Sequence, residues 1–341
     1  MISQNELQRE AAITGFQMEP LEKVIHLLEL LESLRSHPFL KNKIALKGGT
    51  ALNLFVFNLP RLSVDIDLNY IGARDREIMR DDRPKIEQAI QAVCGRLGMQ
   101  VKRVPDKHAV GKWLLSYTSI WERPGTLELD VNFLLRTPLW PAATIDSHAI
   151  GSIIAKQIPV LDFHELTAGK LVALFDRNAP RDIFDACRLL REVPLDISKL
   201  RTAFVVYGGI TRRDWRTISM DDIRVESKDV SQQLLPMLRS DLVPSRKDLR
   251  LWCENLAVEC RALLSKILPF TNNEMEFLKQ LNARGEILPD LVTEDPDLQL
   301  IVLNHPGLLW KAQNVREHFG RGSHDANISN QNHRSQKESD A

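Results

Sequence analysis

Cysteine is scarce in this chain: Cys94, Cys187, Cys253 and Cys260 are the only 4 among 341 residues, and none forms a CxxC pair. That rules out a disulfide scaffold, and the nine histidines show no ligand spacing with them, which argues against a zinc site. Each cysteine lies in a helix-like stretch, so reduced, buried thiols are expected. Long apolar runs are missing, so no membrane-spanning helix is expected. The first residues, MISQNELQREAAITGF, are polar and lack a secretory core. Both features point to the cytoplasm. Net charge is absent too, with Lys+Arg and Asp+Glu at 45 each. A balanced chain has no global attraction for nucleic acid and acts on it only through local patches. No Cys–His or Ser–His nucleophile pattern is visible. With 43% hydrophobic residues, the chain has enough apolar material for a sizeable core and two domains.

The most informative stretch runs from Leu46 to Leu68, LKGGTALNLFVFNLPRLSVDIDL. A short apolar strand stops at Gly48-Gly49, where paired glycines let a ligand approach the main chain. Thr50 is placed to cap a helix carrying Leu52, Phe55 and Val56, which Pro60 ends. A second strand then alternates: Ser63, Asp65 and Asp67 on one face, Val64, Ile66 and Leu68 on the other. Asp65 and Asp67 have Cα atoms roughly 7 Å apart. Two carboxylates that close repel unless a cation compensates them, and Mg²⁺ takes one or two carboxylates together with substrate phosphates. The glycine turn and the helix start behind it offer N–H groups to the same phosphates. A DxD pair alone is more often an exposed edge strand. The preceding Gly-Gly-Thr, with Arg61 and Ser63 between, favours the metal and phosphate reading.

Residues 20–35 read as an amphipathic helix, and Asp82–Gly98 as another, with Asp82 as N-cap and Pro84 in the first turn. Runs at 100–104, 113–120 and 127–134 read as an antiparallel meander. In the last, Glu128, Asp130 and Asn132 share a face. That face is either solvated or brings a third carboxylate to Asp65 and Asp67, as two-metal phosphoryl transfer requires. The pattern breaks between Pro138 and Ser152, which places a domain boundary near residue 150, and Ile158–Val160 reads as a last strand.

The second informative stretch, Leu161–Glu192, reads LDFHELTAGKLVALFDRNAPRDIFDACRLLRE. Asp162 and Glu165 form a capping-box pattern, the helix yields at Asn178-Ala179-Pro180, and a second helix starts at Pro180. Most lysines are solvated, but Lys170 follows Gly169 among apolar neighbours, on a face suited to a point charge on a nucleotide phosphate. Asp182 and Asp185 lie one turn apart, placed either to orient Lys170 or to contact nucleotide or acceptor. From 195 to 318 the chain reads as helical: 197–207 ending at Gly208-Gly209, 246–268, and a helix opened by Thr271 and Glu274 and closed by Gly285. Arg212, Arg213, Arg216 and Arg224 around Trp215 read as a solvated loop, or as RNA contacts with Trp215 stacking. Residues 319–341 have the composition of a disordered tail.

Two blocks, GG–helix–RxSxDIDL and ELxAGKLxALFDRxxxRDxFD, resemble the signatures of the nucleotidyltransferase superfamily. Within it they resemble the AbiEii (abortive infection AbiE type II) group with its MenT toxins, the toxin halves of bacterial toxin–antitoxin and phage-defence pairs. The resemblance spans about 40–320. It implies an α/β (α+β) fold: a nucleotidyltransferase-like mixed-sheet core over 1–150, and a helical domain over 151–318 that contributes the Lys/Asp motif. It implies Mg²⁺ or Mn²⁺ on Asp65, Asp67 and Asp130, the last preferred over Glu128 because relatives carry an acid in such an apolar-flanked run. It implies NTP as co-substrate, gripped by Gly48, Gly49, Thr50 and Ser63, with Lys170 on the triphosphate and Arg177 and Arg181 near phosphate. The later catalytic aspartate is Asp182 or Asp185. The implied acceptor is a tRNA 3′ end, and the implied partner an AbiEi-like winged-helix antitoxin. Two other readings compete: nucleotide transfer to a small molecule, and a degenerate fold that only binds RNA or a partner. Intact Asp65, Asp67 and Lys170 argue against the second, since a binder has no use for mutually repelling carboxylates.

Overall fold

A computed structural model of the chain describes residues 2–104 and 110–318. The expected disordered tail, 319–341, lies outside the described residues. Helices α1 (Gln4–Thr14) and α2 (Met18–Ser36) lead into strand β1 (Ile44–Lys47) and the single turn α3 (Gly48–Ala51), which continues as a π-helical turn over Leu52–Val56. Then come β2 (Asp65–Tyr70), α4 (Arg76–Arg96), β3 (Gln100–Val104), β4 (Val110–Thr118), β5 (Pro124–Asn132), β6 (Ala143–Ile145) and β7 (Ile158–Val160). Helices α5 (Phe163–Arg177), α6 (Pro180–Glu192), α7 (Ile197–Ile210), α8 (Ser227–Asp229), α9 (Leu249–Leu264), α10 (Asn272–Arg284) and α11 (Pro296–Leu303) follow. Residues 306–318 are also helical.

The seven strands form one mixed sheet in the order β3-β4-β5-β2-β1-β7-β6. The expected meander is present, with β3, β4 and β5 antiparallel. The site depends on the next pair, where β5 lies parallel to β2. Ile66 and Leu68 of β2 point into a core shared with α2 and α4, which fixes the register: a slip of one residue would turn both aspartates of β2 into that core. The apolar stripe of α2, with Leu21, Val24, Ile25, Leu28 and Leu31, is buried in the same core.

Several boundaries differ from expectation. Helix α4 starts at Arg76, and its cap is Asp75, whose side chain accepts from the Ile78 N–H. Asp82 is not a cap; it lies inside the helix, and its Oδ2 accepts hydrogen bonds from Lys43 Nζ and Tyr70 Oη. Asp162 does cap α5, but Glu165 leaves the box open and accepts from the Trp140 N–H instead. Helix α7 runs on through Gly208-Gly209. A Cβ at Gly208 would sit 2.0 Å from Trp215 Nε1, so this glycine makes room for an indole rather than ending a helix. Trp215 is itself fully buried and does not present its ring for stacking.

The chain divides into two compact units. One runs up to Phe204 and resumes over Ser219–Leu268; the other takes Val205–Ile218 and the described residues from Pro269 onward. The boundary expected near residue 150 falls inside the first unit, where β1 pairs with β7 and α3 packs against α5. In the second unit Thr271 and Glu274 form the expected capping box and Gly285 closes α10. All four cysteines are free and buried. Among the described residues no helix is long and apolar enough to cross a membrane.

Candidate active site

Parallel pairing of β2 with β5 sets Asp65 opposite Glu128 and Asp67 opposite Asp130. Paired residues in neighbouring strands point to the same face, so four carboxylates form a two-by-two array. The row through Asp67 and Asp130 is flanked by lysines, because Lys47 of β1 pairs with Asp67 and Lys112 of β4 with Asp130. This array floors a cleft of ≈ 220 Å³ whose lining includes Gly49, Arg61, Ser63, Lys170, Arg177, Arg181 and Asp182.

The glycine turn forms one rim. Gly48 has φ +74°, and a Cβ there would lie 2.3 Å from Asp67 Oδ2; a Cβ on Gly49 would lie 2.8 Å from Ser63 Oγ. Only glycines let this turn settle onto the carboxylate strand. Thr50 is placed differently from expectation. It is fully buried inside α3, and its hydroxyl donates to the Asp65 carbonyl at 2.5 Å, so it braces the turn against β2. Lys47 is the N-cap residue of that helix.

The opposite wall is a buried ionic lattice joining α5, α6 and the segment before β2. Lys170 Nζ lies 2.8 Å from Asp182 Oδ1 and 2.9 Å from Asp185 Oδ2. Arg177 grips Asp182 through Nε at 2.6 Å and Nη2 at 3.1 Å. Arg61 grips Asp185 with Nε at 2.8 Å and with Nη2. Asn53 Nδ2 donates both to the Gly49 carbonyl at 2.9 Å and to Asp185 Oδ1 at 3.3 Å, tying the glycine turn to the lattice. Lys170 is thus held in one place by two aspartates, of which Asp182 lines the cleft and Asp185 does not. Sequence reasoning left the choice between them open; both orient the lysine. It missed the parts played by Arg61, Asn53, Lys112 and Glu128.

The electrostatics separate the two walls. Burial pushes the Asp65 carboxyl above the ordinary range, with Asp67 and Glu128 adding to the shift and Arg181 and Lys112 opposing it. Asp130 is raised likewise, by burial and then by Asp67 and Glu128 against Lys112 and Lys47. On the lattice side the signs reverse. Burial would raise Asp182, but Lys170 and Arg177 hold it below the usual range. Asp185 is completely buried, yet Arg61 and Lys170 hold it down to about 2. The floor is therefore short of positive charge, whereas the lattice is internally satisfied.

Among the described residues no group of three or more His, Cys, Asp or Glu stands close enough to hold a metal by itself. The floor still fits a hard divalent cation. Its donors are all oxygens, and Asp130 Oδ1 is buried without a hydrogen-bond partner. Gly48 leaves the space beside Asp67 Oδ2 clear of a side chain. Mg²⁺ draws its remaining ligands from phosphates and water, so a complete protein cage is not required.

A family profile described as "Nucleotidyl transferase AbiEii toxin, Type IV TA system" matches residues 29–258. Among solved structures the chain is similar to MenT4, a nucleotidyltransferase toxin from Mycobacterium tuberculosis H37Rv, at TM-score 0.59 and 16% identity. That match covers 91% of this chain and 99% of the other. No curated protein matches. The profile contains both the carboxylate floor and the lattice. At so low an identity the structural likeness speaks for the fold: a mixed sheet with helices, as in the MenT toxins.

Proposed function

We propose, for a chain that belongs to the AbiEii family of nucleotidyltransferase toxins of type IV toxin–antitoxin systems, that it transfers a nucleoside monophosphate from an NTP to the 3′-terminal hydroxyl of a tRNA. The observation that carries this reading is the parallel β2–β5 register, which faces four carboxylates toward a lysine fixed on the other side of one cleft. Asp65, Asp67 and Asp130 would hold Mg²⁺ or Mn²⁺. Bound there, such an ion would supply electrostatic stabilisation of the phosphoryl transfer.

The chain's own groups do the rest. Gly48 and Gly49 bring main-chain N–H groups to the triphosphate, and Ser63 Oγ faces the same space. Lys170 arrives pre-positioned, so its charge is on hand without reorganisation as pyrophosphate leaves. Arg181, beside Asp65, and Arg177, exposed at the rim, are placed to receive phosphate oxygens of either substrate. Asp130, the third carboxylate of the floor, is the group placed to help draw the proton from the acceptor hydroxyl. An enzyme that consumes NTP and tRNA works where both are, in the cytoplasm, and a toxin of this family is held in check by an antitoxin, here of the AbiEi-like winged-helix kind.

The test is a labelling assay. Purified protein is incubated with each α-³²P-labelled NTP, Mg²⁺ and total RNA, beside the Asp67→Ala variant. Label in the tRNA band with the unsubstituted chain alone is the expected outcome, and it identifies the nucleotide. Label in small molecules only, or none with any RNA, overturns the tRNA assignment.

A further inference from the structure

The two cleft lysines are held in opposite ways. Lys170 is 7% exposed and fixed by two buried aspartates. Lys112 pairs with Glu128 of the neighbouring strand β5, with Nζ 2.5 Å from Oε2, through side chains that are 36% and 47% exposed. Ion pairs that open to water contribute little and are readily exchanged. Lys112 also sits in register beside Asp130. Its ammonium is held in the charged state by the hydrogen bond to Glu128 and then by the fields of Asp130, Glu128 and Asp65. It is therefore a loosely held cation in the same cleft, on the same sheet face as the oxygens that fit a divalent ion.

We propose that Lys112 is the resident counter-ion of the carboxylate floor. It neutralises the array before metal arrives, competes with metal for it, and moves onto the incoming triphosphate when metal and nucleotide bind together. Glu128 is its parking position, which explains a fourth carboxylate in an array that needs three. The inference rests on the assignment of Asp65, Asp67 and Asp130 as cation ligands. It makes Lys112 a nucleotide-contacting residue that couples metal binding to nucleotide binding: bare metal is disfavoured and the metal–nucleotide pair is favoured.

The experiment titrates the full-length protein with Mn²⁺, following the free-ion signal by electron paramagnetic resonance, without nucleotide and with a non-hydrolysable NTP analogue. Asp67→Asn is the control for the site. Lys112→Met should bind Mn²⁺ alone at least about five-fold more tightly, since a competing charge is gone, and bind the Mn²⁺–nucleotide pair about five-fold less tightly. Lys112→Arg, which keeps the charge, should stay near the unsubstituted protein in both. Shifts of opposite sign are not what a merely structural lysine would give. If Lys112→Met leaves Mn²⁺ affinity unchanged or lowers it while Asp67→Asn abolishes binding, the counter-ion role is overturned and the metal assignment stands. If the unsubstituted protein shows no Asp67-dependent Mn²⁺ binding, the metal assignment fails first and the counter-ion role falls with it.

Discussion

Asp185 shows how much one residue can carry from behind the cleft wall. It is fully buried, and it satisfies Arg61, Lys170 and Asn53 at once. Removing one member of a buried ionic group leaves the others uncompensated, at a cost of about 3–5 kcal/mol. Asp185→Asn should therefore lower the unfolding free energy by about that much, and lower transferase activity with it because Lys170 loses one of its two anchors. Denaturant unfolding and the labelling assay read the two effects. The pH dependence has a definite sign. The Asp185 carboxyl is depressed to about 2 in the folded chain, against about 3.9 when unfolded. Its contribution is fully present above about pH 4 and is lost as pH falls toward 2. Asp185→Asn should flatten the stability curve in that window, and a variant as acid-sensitive as the parent contradicts the role. Little of this was legible in the sequence. An aspartate one turn into a helix is ordinary, and the partners Arg61 and Asn53 lie more than a hundred residues away. What was legible was the local chemistry: Asp65 and Asp67 on one face, and glycines where no side chain fits.

The elements explain why strands and caps were easier to foresee than contacts. Alternation in β2 and β5 announced two polar faces, but only pairing shows that they are the same face, and pairing is not local. Asp82 and Gly208 mark the same limit. Each has the residue type of a helix boundary, and each is used instead for a tertiary contact, with Lys43 and Tyr70 or with Trp215. The loop before β2 was unreadable for the same reason. Leu59 adopts φ +47°, unusual for a bulky side chain. The loop is tied down by a distant segment: the Leu62 N–H donates to the Met237 carbonyl at 2.8 Å, the Arg239 N–H to the Pro60 carbonyl at 3.1 Å, and Arg239 Nη1 to the Asn58 carbonyl at 3.1 Å. This tether sets the direction in which Arg61 enters the lattice and Ser63 enters the cleft. Arg239→Ala removes the exposed hydrogen bond to the Asn58 carbonyl and an exposed ion pair with Asp241, so global stability should change by about 1 kcal/mol or less. The 58–62 loop should open locally more often. Hydrogen exchange at the Leu62 amide is the readout: faster exchange with an unchanged unfolding midpoint is expected, and unchanged exchange removes the tether from the account.

For the whole molecule the decisive quantity is charge. Lysines and arginines equal aspartates and glutamates over the chain, 45 against 45, and the cleft repeats that balance, since its lining carries as many acidic as basic side chains. Much of the positive charge there is already committed. Lys170 and Arg177 are paired with Asp182, Arg61 with Asp185, and Lys112 with Glu128. A polyanion approaching the floor meets carboxylates that Lys112, Lys47 and Arg181 offset only in part, so RNA should bind weakly until a divalent ion and nucleotide are in place. Salt dependence tests this directly. Each phosphate neutralised on a single strand contributes about −0.7 to the slope of log affinity against log salt. A cleft that offers the acceptor chiefly Arg181, with the exposed side of the paired Arg177, should give a slope of about −1 to −3, far from the value near −10 of a protein built around a basic surface. The measurement is tRNA affinity across a salt series, with and without Mn²⁺ and a non-hydrolysable NTP. A shallow slope, with binding strengthened by the metal and nucleotide, fits an enzyme that recognises its acceptor by the geometry of one terminus at a loaded site. A steep slope independent of metal would mean that the acceptor is held elsewhere on the surface, and the cleft would then account for the chemistry but not for the choice of RNA.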